Sequence, residues 1–430
     1  MRPGSHVTYQ RRILDDELDE LIDEIPAIAL EGPKGVGKTA TARERASTEF
    51  LLDHPNRLAI ARAEPERLTE GPRTILIDEW QRLPESWDLV RRAVDDGAPP
   101  GSFLLTGSAS PREAPTHSGA GRIVSLRMRP LALAERRVSA PTVSFGDLFQ
   151  GSRPPLRGET DVPLDMYVRE IVRSGFPGLR RLTDRASQLH LDGYLDRIVE
   201  HDFEEQGRHV RNPAALRRWM TAYAAAVSTT AAYETIRDAS TAGHSDKPSR
   251  VTVQPYMDIL ERIWILEPVP AWLPSRNMIT RLGSAPKHQL ADPALAARLA
   301  GIGVDGLIDG QSPSAMMPGS GPFLGRLFEA LVTLSVRVFA QRFGGHVLHL
   351  RTRGPNEHEV DIIVQRGDQR VLAIEVKLAA TVSDDDIDDL LWLRKRIGED
   401  LLDAVIVTTG RDAYRRSDGI GVVPAALLGP

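Results

Sequence analysis

The sequence predicts an α/β protein in three folded parts: a parallel-sheet domain over residues 1–140, a mostly helical domain over 141–300, and a smaller α/β domain over 323–430, with 301–322 as a linker. Three observations carry this expectation. Short, uninterrupted apolar runs at Ala27–Leu30, Thr74–Ile77 and Phe103–Leu105 end in turn residues, as strands buried on both faces of a parallel sheet do. Residues 165–300 read mainly as helices. Beyond Pro322 the signals run α-β-β-β-α-β, starting with Leu324, Leu327, Phe328, Leu331, Leu334 and Val338 at helical spacing.

Composition sets the outer limits. The chain has 430 residues, 41% hydrophobic and 26% charged, with a formal net charge of −5, which suits about three globular domains. No apolar run approaches the roughly 18 residues of a membrane span, and the acidic segment Asp15–Glu24 follows the N-terminus with no leader core. A cytoplasmic protein that avoids membranes is expected. With no cysteine, disulfides, thiolate catalysis and cysteine-based metal sites are excluded, which leaves carboxylates and His for any metal. No third of the chain carries a strong basic excess, so contact with nucleic acid would rest on a local patch. Of the 54 basic residues six are Lys, at 34, 38, 247, 287, 377 and 395, so a Lys here is rare enough to notice.

The first strand runs into Gly32-Pro33-Lys34-Gly35-Val36-Gly37-Lys38-Thr39, a G-x-x-x-x-G-K-[ST] loop of the P-loop NTPase type, with a helix expected over Ala40–Phe50. Glycines let successive backbone N–H groups turn toward phosphates, Lys38 reaches the β and γ oxygens, and Thr39 ligates Mg²⁺. The nucleotide-contacting set is therefore Gly32 through Ala40, with ATP and Mg²⁺ as the expected ligands. The second strand ends in Asp78-Glu79: Asp78 holds the Mg²⁺ through water, and Glu79 orients the attacking water. At the end of the third strand Ser108, and after it Thr106, is placed to touch the γ-phosphate or that water. Arg122 is the candidate arginine finger, in cis or, within a homo-oligomer, in trans.

A Gly-, Pro- and Ser-rich boundary at 141–163 precedes helices expected over 214–228, 231–239 and 252–266, and Glu267–Trp272 follows as a candidate wing. That order is similar to a winged helix. Its recognition helix, Thr252–Trp264, carries Asp258 and Glu261 beside Arg262 and offers few donors to a DNA groove, so a packing role and a DNA-binding role both stand. The next stretch, 301–322, is rich in Gly and free of Lys and Arg, as a linker would be.

In the last part Glu375-Val376-Lys377 sits in the strand signal Val371–Leu378, and Asp361 opens Ile362–Val364. Adjacent pairing of these strands brings Asp361 beside Glu375, where the two would ligate Mg²⁺ while Lys377 orients a water or neutralises a scissile phosphate. Glu329, on the preceding helix, would complete the site. The run Asp384-Asp385-Asp386 reads as the acidic first turn of a helix from Ser383 to Ile397 with Ser383 as N-cap, and His346, His349 and His358 read as strand and loop residues. This D-x13-E-x-K pattern in an α-β-β-β-α-β order resembles the restriction-endonuclease-like PD-(D/E)XK nucleases, with Val360 where that family usually has Pro.

Taken together, the loop, Ile77-Asp78-Glu79, Leu105–Ser108, Gly121-Arg122, Arg129-Pro130-Leu131 with Glu135, Ser174–Pro177, Lys287–Pro293 and Phe328-Glu329 resemble the bacterial and archaeal AAA-type ATPases that carry a C-terminal domain of unknown function 4143. The resemblance implies nucleotide binding and leaves the substrate open. The expected function is an Mg-dependent ATPase acting as a switch or motor, coupled to a nuclease-like domain that cuts or holds nucleic acid. The competing expectation is a nucleotide-gated regulator or scaffold whose last domain binds a protein or DNA partner without cleavage.

Overall fold

The computed structural model describes residues 9–108, 120–241, 250–274, 284–309, 320–352 and 357–430. Contacts divide the chain into two compact units, the first comprising Met1–Arg129 with Glu205–Arg208 and Arg262–Trp264, the second the remainder.

The first unit is built on a five-stranded sheet: β1 (Ala27–Glu31), β2 (Thr48–Leu51), β3 (Ile75–Asp78), β4 (Phe103–Gly107) and β5 (Val124–Arg127), in the order β2-β3-β4-β1-β5. Every pairing is parallel. Strands β1, β3 and β4 are the three apolar runs expected from sequence, and their side chains are buried because helices cover both faces of such a sheet. The helix after the Gly-rich loop is a correction: it spans Lys38–Arg43 instead of Ala40–Phe50. Beyond it the N–H groups of Ser47 and Thr48 donate to the Thr74 carbonyl at 2.8 and 3.2 Å, which starts edge strand β2. Thr48 and Phe50 are strand formers, and tertiary pairing overrides a short helical pattern. Strand β5 escaped notice because only Leu126 of its four residues is buried.

The second unit begins at Pro130, ten residues before the boundary expected at 140, because Leu131 to Leu133 are buried in it. Leu131 N–H donates to the Gly175 carbonyl at 2.8 Å and Leu133 N–H to Ser335 Oγ at 3.0 Å. The helical middle is present, including Leu164–Arg173, Asp184–Arg197, Pro213–Ala225, Tyr233–Ala239, Arg250–Arg262 and Pro293–Leu299. It is not separate from the last α/β part. Short strands β6 (Val143–Ser144) and β7 (Ala271–Trp272) join the C-terminal strands, and Arg153 donates to the carbonyls of Leu401 and Leu402.

Those C-terminal strands are β8 (His346–Arg351), β9 (Glu359–Gln365), β10 (Val371–Lys377), β11 (Leu401–Thr408), β12 (Tyr414–Arg415), β13 (Gly421–Pro424) and β14 (Leu428–Gly429). Seven strands form one mixed sheet in the order β12-β13-β11-β10-β9-β8-β7, and β14 pairs with β6. The expected α-β-β-β-α-β succession is realised by the helix Ser320–Arg342, β8, β9, β10, the helix Asp388–Ile397 and β11. Glu267–Trp272 does not stand apart as a wing: Leu266 and Val269 bridge Leu290 and Lys287, and Ala271–Trp272 run parallel to β8. Part of the expected linker is helical, at Val304–Asp309, while 310–319 lies outside the described residues. Ser383 does not cap through its own oxygen; its N–H and Oγ donate to Asp386 Oδ2 at 2.8 and 2.6 Å. Among the described residues no helix is long and apolar enough to cross a membrane.

Candidate functional site

The Gly-rich loop leaves the carboxyl end of β1, whose neighbours are β4 and β5 while the next strand in sequence lies at the sheet edge. Ligands of parallel α/β sheets bind outside the carboxyl ends at such a reversal of strand order. Two local demands explain the glycines. Gly35 and Gly37 sit at φ +85° and +103°, in the left-handed region, and a Cβ on Gly32 would lie 2.1 Å from the Met128 carbonyl oxygen. Lys38 is buried, and its Nζ donates to the carbonyls of Gly32 at 2.8 Å and Pro33 at 2.9 Å. Burial pushes the Lys38 ammonium down to about 8, Arg127 adding to that effect and Glu79 and Asp78 opposing it.

Around the loop, strand ends supply the rest. Thr39 Oγ1 donates to Asp78 Oδ1 at 2.7 Å, and Thr106 Oγ1 hydrogen-bonds the same oxygen. Ser108 Oγ donates to Glu79 Oε1 at 2.9 Å, and Gln81 holds the other Glu79 oxygen. Glu79 has φ +55°, an uncommon conformation for a residue with a Cβ. Arg12 braces the loop from below, donating to the Val36 carbonyl at 3.0 Å and the Arg129 carbonyl at 2.9 Å. Lys34 pairs with Glu205 at 2.8 Å. Arg122, the expected finger, pairs with Asp95 at 2.8 Å.

The second unit holds another cluster. Strands β9 and β10 are antiparallel with Ile374 opposite Ile362, so Asp361 and Glu375 come side by side where the ladder ends. Asp361 Oδ2 accepts the Val376 N–H at 3.0 Å, and the Asp361 N–H donates to Glu375 Oε2 at 3.4 Å. Lys377 Nζ pairs with Glu375 Oε1 at 3.1 Å. Glu329 joins them from the helix Ser320–Arg342, so all four residues expected from sequence converge. A fifth sits at the centre. Lys287 Nζ, with the residue 1% exposed, contacts Asp361 Oδ1 at 2.9 Å, Glu329 Oε1 at 3.0 Å and Glu359 Oε1 at 3.1 Å.

Burial shapes the protonation of this cluster. It pushes Glu329 up to about 8, with Asp361 adding to the rise and Lys287 opposing it, and raises Glu375 well above the usual carboxylate range for the same reason. Burial alone would lower Lys287, but Asp361, Glu329 and Glu359 carry it well above an ordinary lysine. Among the described residues, Asp384, Asp385 and Asp386 included, no group of three or more His, Asp or Glu is arranged to hold an ion.

Residues 24–136 match the family described as an AAA domain. The first unit thus carries an AAA-type P-loop domain. Residues 164–305 and 324–428 match two families described as domains of unknown function, DUF8612 and DUF4143. Uncharacterized proteins of Mycobacterium bovis and Mycobacterium tuberculosis are each 27% identical over 303 residues, 69% of this chain and 61% of theirs. The chain thus spans about three fifths of the length of these curated relatives. Among solved structures, a Walker-type ATPase of Pyrococcus abyssi is similar at 16% identity and a TM-score of 0.37, over 66% of this chain and 94% of that one. The ORC2 protein of Aeropyrum pernix is similar at 13% identity and a TM-score of 0.28, over 69% and 91%.

In the AAA-type domain the geometry joins Lys38, Thr39, Asp78, Glu79 and Ser108, while Arg122 engages Asp95 instead. Thr106, second choice from sequence, is the hydroxyl bound to Asp78. Sequence reasoning missed Arg12, whose backbone N–H is capped by Asp15 at 2.6 Å, and Arg127, whose guanidinium lies 3.5 Å from the centre of the Trp264 ring. It also missed Lys287 and Glu359; the scarcity of Lys was the available signal. Other resemblance motifs turn out to be packing joints: Asp292 accepts the Gly175 N–H at 2.7 Å and caps the helix Pro293–Leu299 through the Ala294 N–H at 2.8 Å.

Proposed function

We propose that the AAA-type domain binds ATP with Mg²⁺ and hydrolyses it slowly, as a switch. One observation carries this reading: Thr39 Oγ1, on the helix that follows the β1 loop, and Asp78 Oδ1, at the carboxyl end of β3, lie 2.7 Å apart beside a buried Lys38, on the same edge of one parallel sheet in which β4 separates the two strands. A hydroxyl and a carboxylate so placed fit a hard cation, Thr39 as ligand and Asp78 through the cation's water. When bound, Mg²⁺ would neutralise charge on the phosphate oxygens. The protein's own groups do the remainder. The glycine-conformed loop presents backbone N–H groups to phosphate, and Lys38 exchanges the neutral carbonyls of Gly32 and Pro33 for charged phosphate oxygens. Glu79, held by Ser108 and Gln81, accepts a hydrogen bond from the attacking water and aligns it. The test is substitution. Lys38→Ala should lose ATP binding, and Glu79→Gln should bind ATP but hardly turn it over; wild-type turnover by Lys38→Ala overturns the assignment.

For the second unit two readings stand as proposals: a nuclease-like site that cuts or holds nucleic acid under control of ATP, and recognition of a DNA or protein partner without cutting. Convergence of Glu329, Asp361, Glu375 and Lys377 supports the first, and the ion pairs made by Lys287 favour the second. Incubating DNA and RNA with Mg²⁺ or Mn²⁺, with and without ATP, separates them. Cleavage lost in Lys377→Ala would select the first. An Arg122 acting in trans within a homo-oligomer would have to leave Asp95 to do so.

A further inference from the structure

We infer that the ammonium group of Lys287 is the resident cation of the carboxylate cluster formed by Glu329, Glu359 and Asp361, and that this cluster takes no divalent metal. The inference concerns the second unit alone.

A nuclease-like arrangement of Asp361 and Glu375 implies Mg²⁺ between them, and the donor set does not fit that ion. An ammonium has three N–H donors and no acceptor, and the three nearest carboxylate oxygens lie 2.9, 3.0 and 3.1 Å from Lys287 Nζ. Those are hydrogen-bond lengths to a nitrogen that already occupies the point the three oxygens share, where Mg²⁺ would need oxygens drawn in to about 2.1 Å in an octahedron. Each Asp361 oxygen already accepts a hydrogen bond, one from Lys287 and one from the Val376 N–H at 3.0 Å. Glu375 is likewise engaged, Oε1 by Lys377 at 3.1 Å and Oε2 by the Asp361 N–H at 3.4 Å. Two ammonium groups thus balance the charge that a divalent ion would otherwise balance.

The cation is also built in. Lys287 N–H and C=O both bond Val269, at 2.9 and 2.8 Å. Next to it, the His288 N–H donates to the Thr229 carbonyl at 2.8 Å and Gln289 Nε2 to Ser228 Oγ at 2.9 Å. Withdrawing the ammonium would mean breaking this backbone pairing and leaving buried carboxylates without a partner, so the contact is a permanent part of the fold. Its consequence is chemical: phosphodiester cleavage of the metal-dependent kind is closed to this site, and the fold serves recognition.

Mn²⁺ titration of the nucleotide-free full-length chain, with bound ions counted by electron paramagnetic resonance, tests this. Wild type and Asp361→Asn should bind the same number of ions with affinities within about twofold of each other, a difference too small to be a lost coordination site. Lys287→Ala should gain an ion that a further Asp361→Asn removes. An ion held by wild type and lost in Asp361→Asn overturns the inference, as does a folded Lys287→Ala that gains none. Should Lys287→Ala fail to fold by circular dichroism, the first pair decides alone. Iron(II)-directed backbone cleavage of wild type, expected to spare positions 361 and 375, reads the same site with no substitution. ATP binding is tested through Lys38, outside this cluster, so the two readings can fail independently.

Discussion

The Gly-rich loop and the carboxylate cluster each gather a lysine and acidic residues at the ends of strands, yet their lysines are poised in opposite ways. Lys38 donates to neutral backbone carbonyls, and burial pushes it down to about 8; Lys287 is ringed by three carboxylates and held well above an ordinary lysine. An ammonium resting on neutral acceptors gains by meeting phosphate oxygens. One already saturated by carboxylates has nothing to gain from a new anion. Partnering, more than residue type, separates the two lysines.

This contrast can be broken by substitution. The largest effect is expected for Lys287→Met, which strands buried carboxylates and should destabilise the second unit by about 3–5 kcal/mol in urea melts. Lys38→Ala should instead lower ATP turnover by roughly 10²–10³-fold, the scale of losing one preorganised electrostatic contact, with little change in the melt. If both variants lost stability alike, the distinction would collapse.

A third expectation concerns pH. Burial, with Lys287 adding to it, pushes His349 down to about 4, and its Nε2 lies 3.1 Å from the Ala285 carbonyl. Because the unfolded chain binds the proton first, near 6.5, this stability is complete above that pH and is lost as pH falls toward and through 4. The loss amounts to at most about 3 kcal/mol. Chemical denaturation across that window should show the slope in wild type and a flatter one in His349→Gln. The smallest effect is expected for Glu329→Gln. Burial and Asp361 push that carboxyl up to about 8 against the opposing pull of Lys287, so an amide that still accepts from Lys287 Nζ gives up little and should cost less than about 1 kcal/mol. A loss as large as that of Lys287→Met would show Glu329 to be charged.

The Gly-rich loop was legible because it lies in contiguous residues: the Gly spacing encodes a backbone shape, and Lys38-Thr39 follows from it directly. Asp78 and Glu79 were legible as the end of a buried strand. The cluster was half legible. Alternation on β10 and the apolar run of β9 pointed to Asp361 beside Glu375, but Lys287 reaches Glu329 across 42 residues of sequence and Asp361 across 74. No periodicity reports such a contact. Strand β2 and the early boundary at Pro130 were missed for a related reason, since both depend on a distant partner, the Thr74 carbonyl for one and Ser335 and Gly175 for the other.

By itself the amino-acid sequence determined the parallel-sheet character of the N-terminal part, the Gly-rich loop and the acidic strand end beside it, the helical middle, and the α-β-β-β-α-β order of the last part. These follow from local patterning, because backbone conformation and burial of a strand or helix depend on residues a few positions apart. Only the tertiary structure decided that the middle and last parts form one unit, that Arg122 pairs with Asp95, and that Lys287 fills the centre of the carboxylate cluster. A charge buried among other charges takes its role from every group around it, and those groups meet only when the chain has folded.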